Sequence, residues 1–133
     1  MAAFTPDRFG FSNASLAGYS LAEACRAGRD LGFNVVEFLG FGGYCHSLGE
    51  LDGFYFERLS DQERDDLRQL AAPFATISTH AQFFEMPMLS PNPALRETAV
   101  CQLEIAIEAI AFLGGQLTVT HAVPKATYTL EQS

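Results

Sequence analysis

Strand-like and helix-like segments alternate along the chain, and this alternation restricts its fold more than any other feature. RFGFSN (8–13), NVVEFLG (34–40), ATISTH (75–80) and LTVTH (117–121) are short runs rich in β-branched and aromatic residues. Between them lie three segments of helical periodicity, at 20–32, from 60 to Pro73, and from Pro93 to Gly114 and Gly115. A helix between two strands acts as the crossover that returns the chain to the same edge of the sheet, so the strands run parallel. The expected class is α/β, built of parallel (βα) units with four strands and three helices. With 133 residues, 48% of them apolar and 18% charged, the chain is expected to form one domain over 1–133 with a real core.

Local signals sharpen these boundaries. Ser20 with Glu23 and Ser60 with Glu63 have the capping-box spacing, Gly32 is placed to end the first helix, and Asn92 before Pro93 is suited to start the third. The spacing puts Leu21, Ala24, Cys25 and Leu31 on the buried face of the first helix. Gly28 falls on that face too, where it allows close approach to a sheet. Leu67, Leu70 and Ala71 form the corresponding stripe of the second helix, and Val100, Leu103, Ile107 and Ile110 that of the third. Residues 41–59, FGGYCHSLGELDGFYFERL, show no clear periodicity and are expected to be a long loop, as is AQFFEMPMLSPN at 81–92.

In a parallel sheet all the strand carboxyl ends lie on one rim, where α/β proteins bind ligands. His80 and His121 end two of the strands and are expected on that rim, as metal ligands, as acid and base, or as hydrogen-bond partners of a polyol. Alternation puts His80 on a face with Ser78 and Thr76, and His121 on one with Val119 and Leu117. Barrel layers filled by alternate strands, or a bulge, would accommodate both. Glu37 interrupts an apolar strand, so it needs a partner such as Arg8 or a place beside a ligand. His46 and Glu85 read as solvated loop residues. The 12 phenylalanines are enough to supply a core and also wall a sugar pocket. FGGYCHSLGE matches neither GxGxxG nor a Walker A loop.

Charge narrows the partners. Eight Lys and Arg stand against 16 Asp and Glu, for a net charge of −8, and Lys125 is the single lysine. No basic stripe is present to neutralise phosphates, so nucleic acid is not an expected partner. Cys25, Cys45 and Cys101 are odd in number and widely spaced, the pattern of reduced thiols in a cytoplasmic protein. No apolar run reaches 18 residues and MAAFTPDRFGFS lacks the form of a secretory leader, so neither export nor membrane insertion is expected.

From SLAEACRAGRDLGFNVVEFLGF through LSDQERDDLRQLAAPFATISTHAQFFEMPMLSPNPALRETAVCQLEIAIEAIAFLGGQLTVTHA, the chain resembles the first half of the xylose-isomerase-like TIM barrels. These are sugar and sugar-phosphate isomerases and epimerases, together with type IV apurinic endonucleases. The resemblance spans about residues 8–122 and centres on His80, the loop to SPNPALRE, the following helix and His121. It implies a sugar isomerase or epimerase that moves a proton next to a carbonyl, assisted by a divalent metal (Mn, Mg, Co or Zn). It also implies that Glu37, His80 and His121 line the pocket of a small polyhydroxy substrate. In the endonuclease branch the histidines matching His80 and His121 are zinc ligands, which makes a metal hydrolase the alternative reading. A complete barrel takes about 250 residues, and this sequence ends just after its fourth strand. The 133 residues are therefore expected to be catalytically silent unless completed by a second copy or by a C-terminal half. A half barrel that acts only by association is the remaining alternative.

Overall fold

The computed structural model describes residues 9–46, 49–83 and 86–121. Its element order is β1 (Gly10–Ser12), α1 (Leu21–Asp30), β2 (Val35–Gly40), β3 (Tyr44–His46), β4 (Gly49–Leu51), α2 (Asp61–Ala71), β5 (Thr76–Ala81), α3 (Pro93–Phe112) and β6 (Leu117–Val119). β1, β2, β5 and β6 form one sheet in that order with every pair parallel. This is the expected α/β arrangement of four parallel strands and three crossover helices, half of an eight-stranded barrel.

One face of the sheet carries the core. Val36, Phe38, Ile77 and Thr79 turn toward the helices and pack with Cys25 of α1, Leu67 and Ala71 of α2, and Ala109, Ile110 and Leu113 at the end of α3. Thr79 is buried among them without an unmet donor, because its hydroxyl bonds the Thr118 hydroxyl at 2.9 Å. Both expected capping boxes form, with the Ser20 and Ser60 side chains each accepting from the backbone N–H three residues on. Gly28 meets the sheet so closely that a Cβ there would lie 2.1 Å from the Phe11 ring, so any larger residue would have to displace that ring for α1 to seat on β1.

Three expectations change. Leu31 is 76% exposed, because α1 ends at Asp30 and the chain turns away there. In α3, Val100 and Ile107 face outward at 52% and 56% exposure, whereas Ala99, Ala106, Ala109 and Ile110 are buried. The helix is apolar around most of its circumference, so periodicity could not choose between its faces. Its alanine side allows the closer approach to the sheet. Residues 41–59 are not a bare loop either. β3 and β4 pair antiparallel within them, and a 3-10 turn follows at Phe56–Arg58. The loop is tied to the first βα connection: Gly18 N–H donates to the Glu50 carbonyl (2.8 Å), and Asn13 Nδ2 donates to the Asp52 carbonyl (2.5 Å). The Asn13 side-chain oxygen in turn accepts from Leu39 N–H (2.8 Å). Among the described residues, no helix is long and apolar enough to cross a membrane.

Candidate functional site at the carboxyl rim of the sheet

The helix-free face of the sheet holds the candidate site residues, and strand register decides how they are arranged. In register across the sheet, Ser12 lies beside Glu37, Glu37 beside Ser78, and Ser78 beside Leu117. One level nearer the carboxyl ends, Leu39 lies beside His80 and His80 beside Val119. Side chains in register on parallel neighbours share a face, so the His80 set and the Leu117–Val119 set lie on the same side of the sheet. No bulge or alternate layering is required. His121 follows two residues after Val119, and its ring centroid is 5.0 Å from that of His80, with the rings edge to face.

Two phenylalanines complete this cluster. Phe83 lies 4.0 Å from the His121 ring and 5.1 Å from His80, and Phe41 lies 5.6 Å from Phe83 and 6.4 Å from His80. Phe41 is buried, Phe83 and His80 are half-buried, and His121 is exposed, so the cluster grades from core to solvent. His80 Nδ1 lies 2.9 Å from the Ala81 carbonyl oxygen. A carbonyl only accepts, so in the neutral ring Nδ1 holds the proton and Nε2 carries the lone pair, which could accept from a hydroxyl or bind a metal.

Glu37 sits mid-strand, two residues below the level of His80, or roughly 6.6 Å at ~3.3 Å per residue. It is half-buried, with serines on both sides. The Ser78 hydroxyl donates to the Val36 carbonyl (3.4 Å), and the Ser12 hydroxyl is buried with no hydrogen-bond partner among the described residues. A polar layer of Ser12, Glu37 and Ser78 therefore lies beneath an imidazole and aromatic layer. Arg8, the sequence-level candidate partner for Glu37, and Glu85 lie outside the described residues. The backbone of His46 belongs to β3 rather than to a loop.

Sequence reasoning does not single out Ser12, Phe41 or Phe83, and it names Ser78 only as sharing a face with His80. The abundance of phenylalanine near the strand ends was the one available signal, and it did not say which rings meet. For a divalent metal the site is short of ligands. A catalytic metal takes at least three from the protein, and no group of three His, Cys, Asp or Glu suited to a metal occurs among the described residues.

Four parallel strands with helices on one face, and a rim of imidazoles and aromatic rings on the other, define half of an α/β barrel. No family model matches the sequence, and no curated protein matches it. Among solved structures, the chain is similar to one described as a D-tagatose 3-epimerase-like protein, with a TM-score of 0.61 and 21% identity. The match covers 92% of this chain and 41% of that one, so the chain spans about two-fifths of its neighbour's length. At that identity the likeness establishes the fold.

Proposed function

We propose that this chain is the N-terminal half of a sugar isomerase or epimerase of the xylose-isomerase-like class, and that its rim binds a small polyhydroxy substrate. The observation that carries this reading is the register that sets His80 and His121 on one face, 5.0 Å apart, at the carboxyl ends of parallel strands. The neighbour described as D-tagatose 3-epimerase-like supports it.

In this reading His80 Nε2 accepts from a sugar hydroxyl while Nδ1 stays locked on Ala81. His121 contributes a second donor or acceptor nearer solvent, and the rings of Phe83 and Phe41 pack against the C–H face of the substrate. Glu37 accepts from a hydroxyl that reaches the deeper layer. In the full-length protein a divalent metal (Mn, Mg, Co or Zn) would polarise the substrate oxygens. The described residues offer it two imidazoles, His80 and His121, and lack a third ligand. Proton transfer next to a carbonyl also needs a positioned acid and base, and the second layer offers one carboxylate. The chain alone is therefore a binding half, silent in catalysis.

Imidazole NMR shifts followed during titration with D-tagatose and other ketohexoses test this. Shifts at His80 and His121 with affinity on the order of millimolar, without epimerisation, are expected. Unmoved imidazoles at 100-fold that range would overturn the binding reading. Turnover by the isolated chain that disappears in His80→Ala would overturn the silence.

A further inference from the structure

α1 links β1 to β2 and α2 links β2 to β5, so the two helices are neighbours on the covered face of the sheet. Between them lies a cleft of about 410 Å3. Leu21 of α1, Leu67 and Leu70 of α2, and Phe54 and Leu59 of the connection that leads into α2 give it an apolar lining. Phe54 and Leu67 are buried and form its floor, whereas Leu21, Leu59 and Leu70 are half-buried and leave it open to solvent. The connection is pinned at two points. Phe54 N–H donates to the Leu39 carbonyl (3.2 Å), and the Asp52 carboxylate accepts from Leu21 N–H at the start of α1 (2.7 Å). The cleft is therefore formed in the free chain.

Its charged groups all have one sign. Asp52, Glu63 and Asp66 line it, with no lysine, arginine or histidine. One oxygen of each carboxylate is bonded, to Leu21 N–H, to Ser60 and to the Gln62 amide, and the other has no hydrogen bond among the described residues. The bonds from Ser60 hold Glu63 below the ordinary carboxylate range, so it is ionised at neutral pH.

We propose that this cleft binds a small amphiphilic amine, with its hydrocarbon body against the leucines and its ammonium head among Asp52, Glu63 and Asp66. The volume lies within the range of small-molecule sites, about 300–1,000 Å3. A stable protein partner would spread over about 20–30 residues a side, far more than line this cleft. An anionic ligand would meet three like charges, and a neutral one would gain the apolar contact alone. The cleft shares no residue with the rim cluster, so the inference stands apart from the sugar reading.

Leucine methyl NMR shifts test it, followed as the 133-residue chain is titrated with octylamine, octanol and octanoate, which share one tail and differ in the charge of the head. Octylamine should shift the methyls of Leu21, Leu59 and Leu70 with an affinity about tenfold or more above that of octanol, and octanoate should bind more weakly than either. Salt at about 1 M, where the Debye length is about 3 Å, should reduce the advantage of the amine. Asp66→Asn removes one exposed charge and should weaken octylamine about threefold while leaving octanol unchanged. Ala22→Trp, at an exposed position that lines the cleft, should block both while circular dichroism stays the same. Methyls unmoved by octylamine, an amine that binds no better than octanol, or an amine response indifferent to Ala22→Trp would overturn the proposal.

Discussion

α2 and α3 pack on the same sheet by opposite rules. α2 is amphipathic: Leu67 and Ala71 are buried against the sheet, and its outer face carries Asp61, Gln62, Asp65, Asp66 and Gln69. α3 buries alanines and exposes Val100 and Ile107. Near its end, Phe112 lies under the Arg68 guanidinium of α2, 3.6 Å from the ring centroid, which fixes one side of α3 against its neighbour. A helix with apolar residues on its outward side is suited to having a further element beside it. Among the described residues, α2 thus presents a polar outer surface and α3 a partly apolar one.

The comparison can be broken most directly by truncation on each helix. Leu67→Ala removes a buried side chain from the centre of the core and should cost about 2–5 kcal/mol, whereas Ile107→Ala should stay within about 0.5 kcal/mol. Urea denaturation followed by circular dichroism measures both, and equal losses would mean that α3 is packed as α2 is. Enlarging the alanine face sharpens the same point. Ala109→Leu forces a branched side chain into the helix–sheet contact and should destabilise by about 1–3 kcal/mol, read from the same curves.

Ser60→Ala should cost about 1 kcal/mol by removing the N-cap of α2. The Ser60 hydroxyl and backbone N–H both donate to the Glu63 carboxylate and hold its pKa below the usual value of 4.5. A carboxyl whose folded pKa is depressed contributes stability above its unfolded pKa and loses it as pH falls through the folded one. The contribution of the capping box should therefore be present at neutral pH and fade below about 4.5. Glu23, held down in the same way by Ser20, should behave alike. Carbon-detected NMR titration of the two carboxyls checks the direction.

The smallest effect concerns the thiols. Burial pushes the Cys25 thiol up to about 11, whereas Cys101 on α3 is exposed. A thiol reagent at pH 8 should label Cys101 well before Cys25, because the thiolate is the nucleophile. Peptide mapping after a short exposure reads the order, and prompt labelling of Cys25 would show that α1 opens from the sheet.

Much of this architecture was legible in the residues. Alternation of strand and helix patterns specifies parallel strands, the serine and glutamate spacings mark two helix starts, and each strand segment ending in histidine delivers it to the carboxyl rim. These are local properties, set by backbone geometry and by side chains a few positions apart. The arrangement of the site was not local. Sequence alternation left His80 and His121 on faces that could not be related, and the pairing of His80 with Val119 related them. The β3–β4 hairpin stayed hidden because its strands are three residues each and their sequence lacks clear periodicity.

By itself, then, the sequence determined the order, type and polarity of the main elements, because helix caps and strand propensity act within a few residues. Only the tertiary structure decided which side of α3 is buried, which rings surround His80, and that Glu37 lies a layer below the histidines. Those outcomes depend on register and on how closely a helix can approach a sheet, and both are set by residues that meet across roughly forty positions of chain.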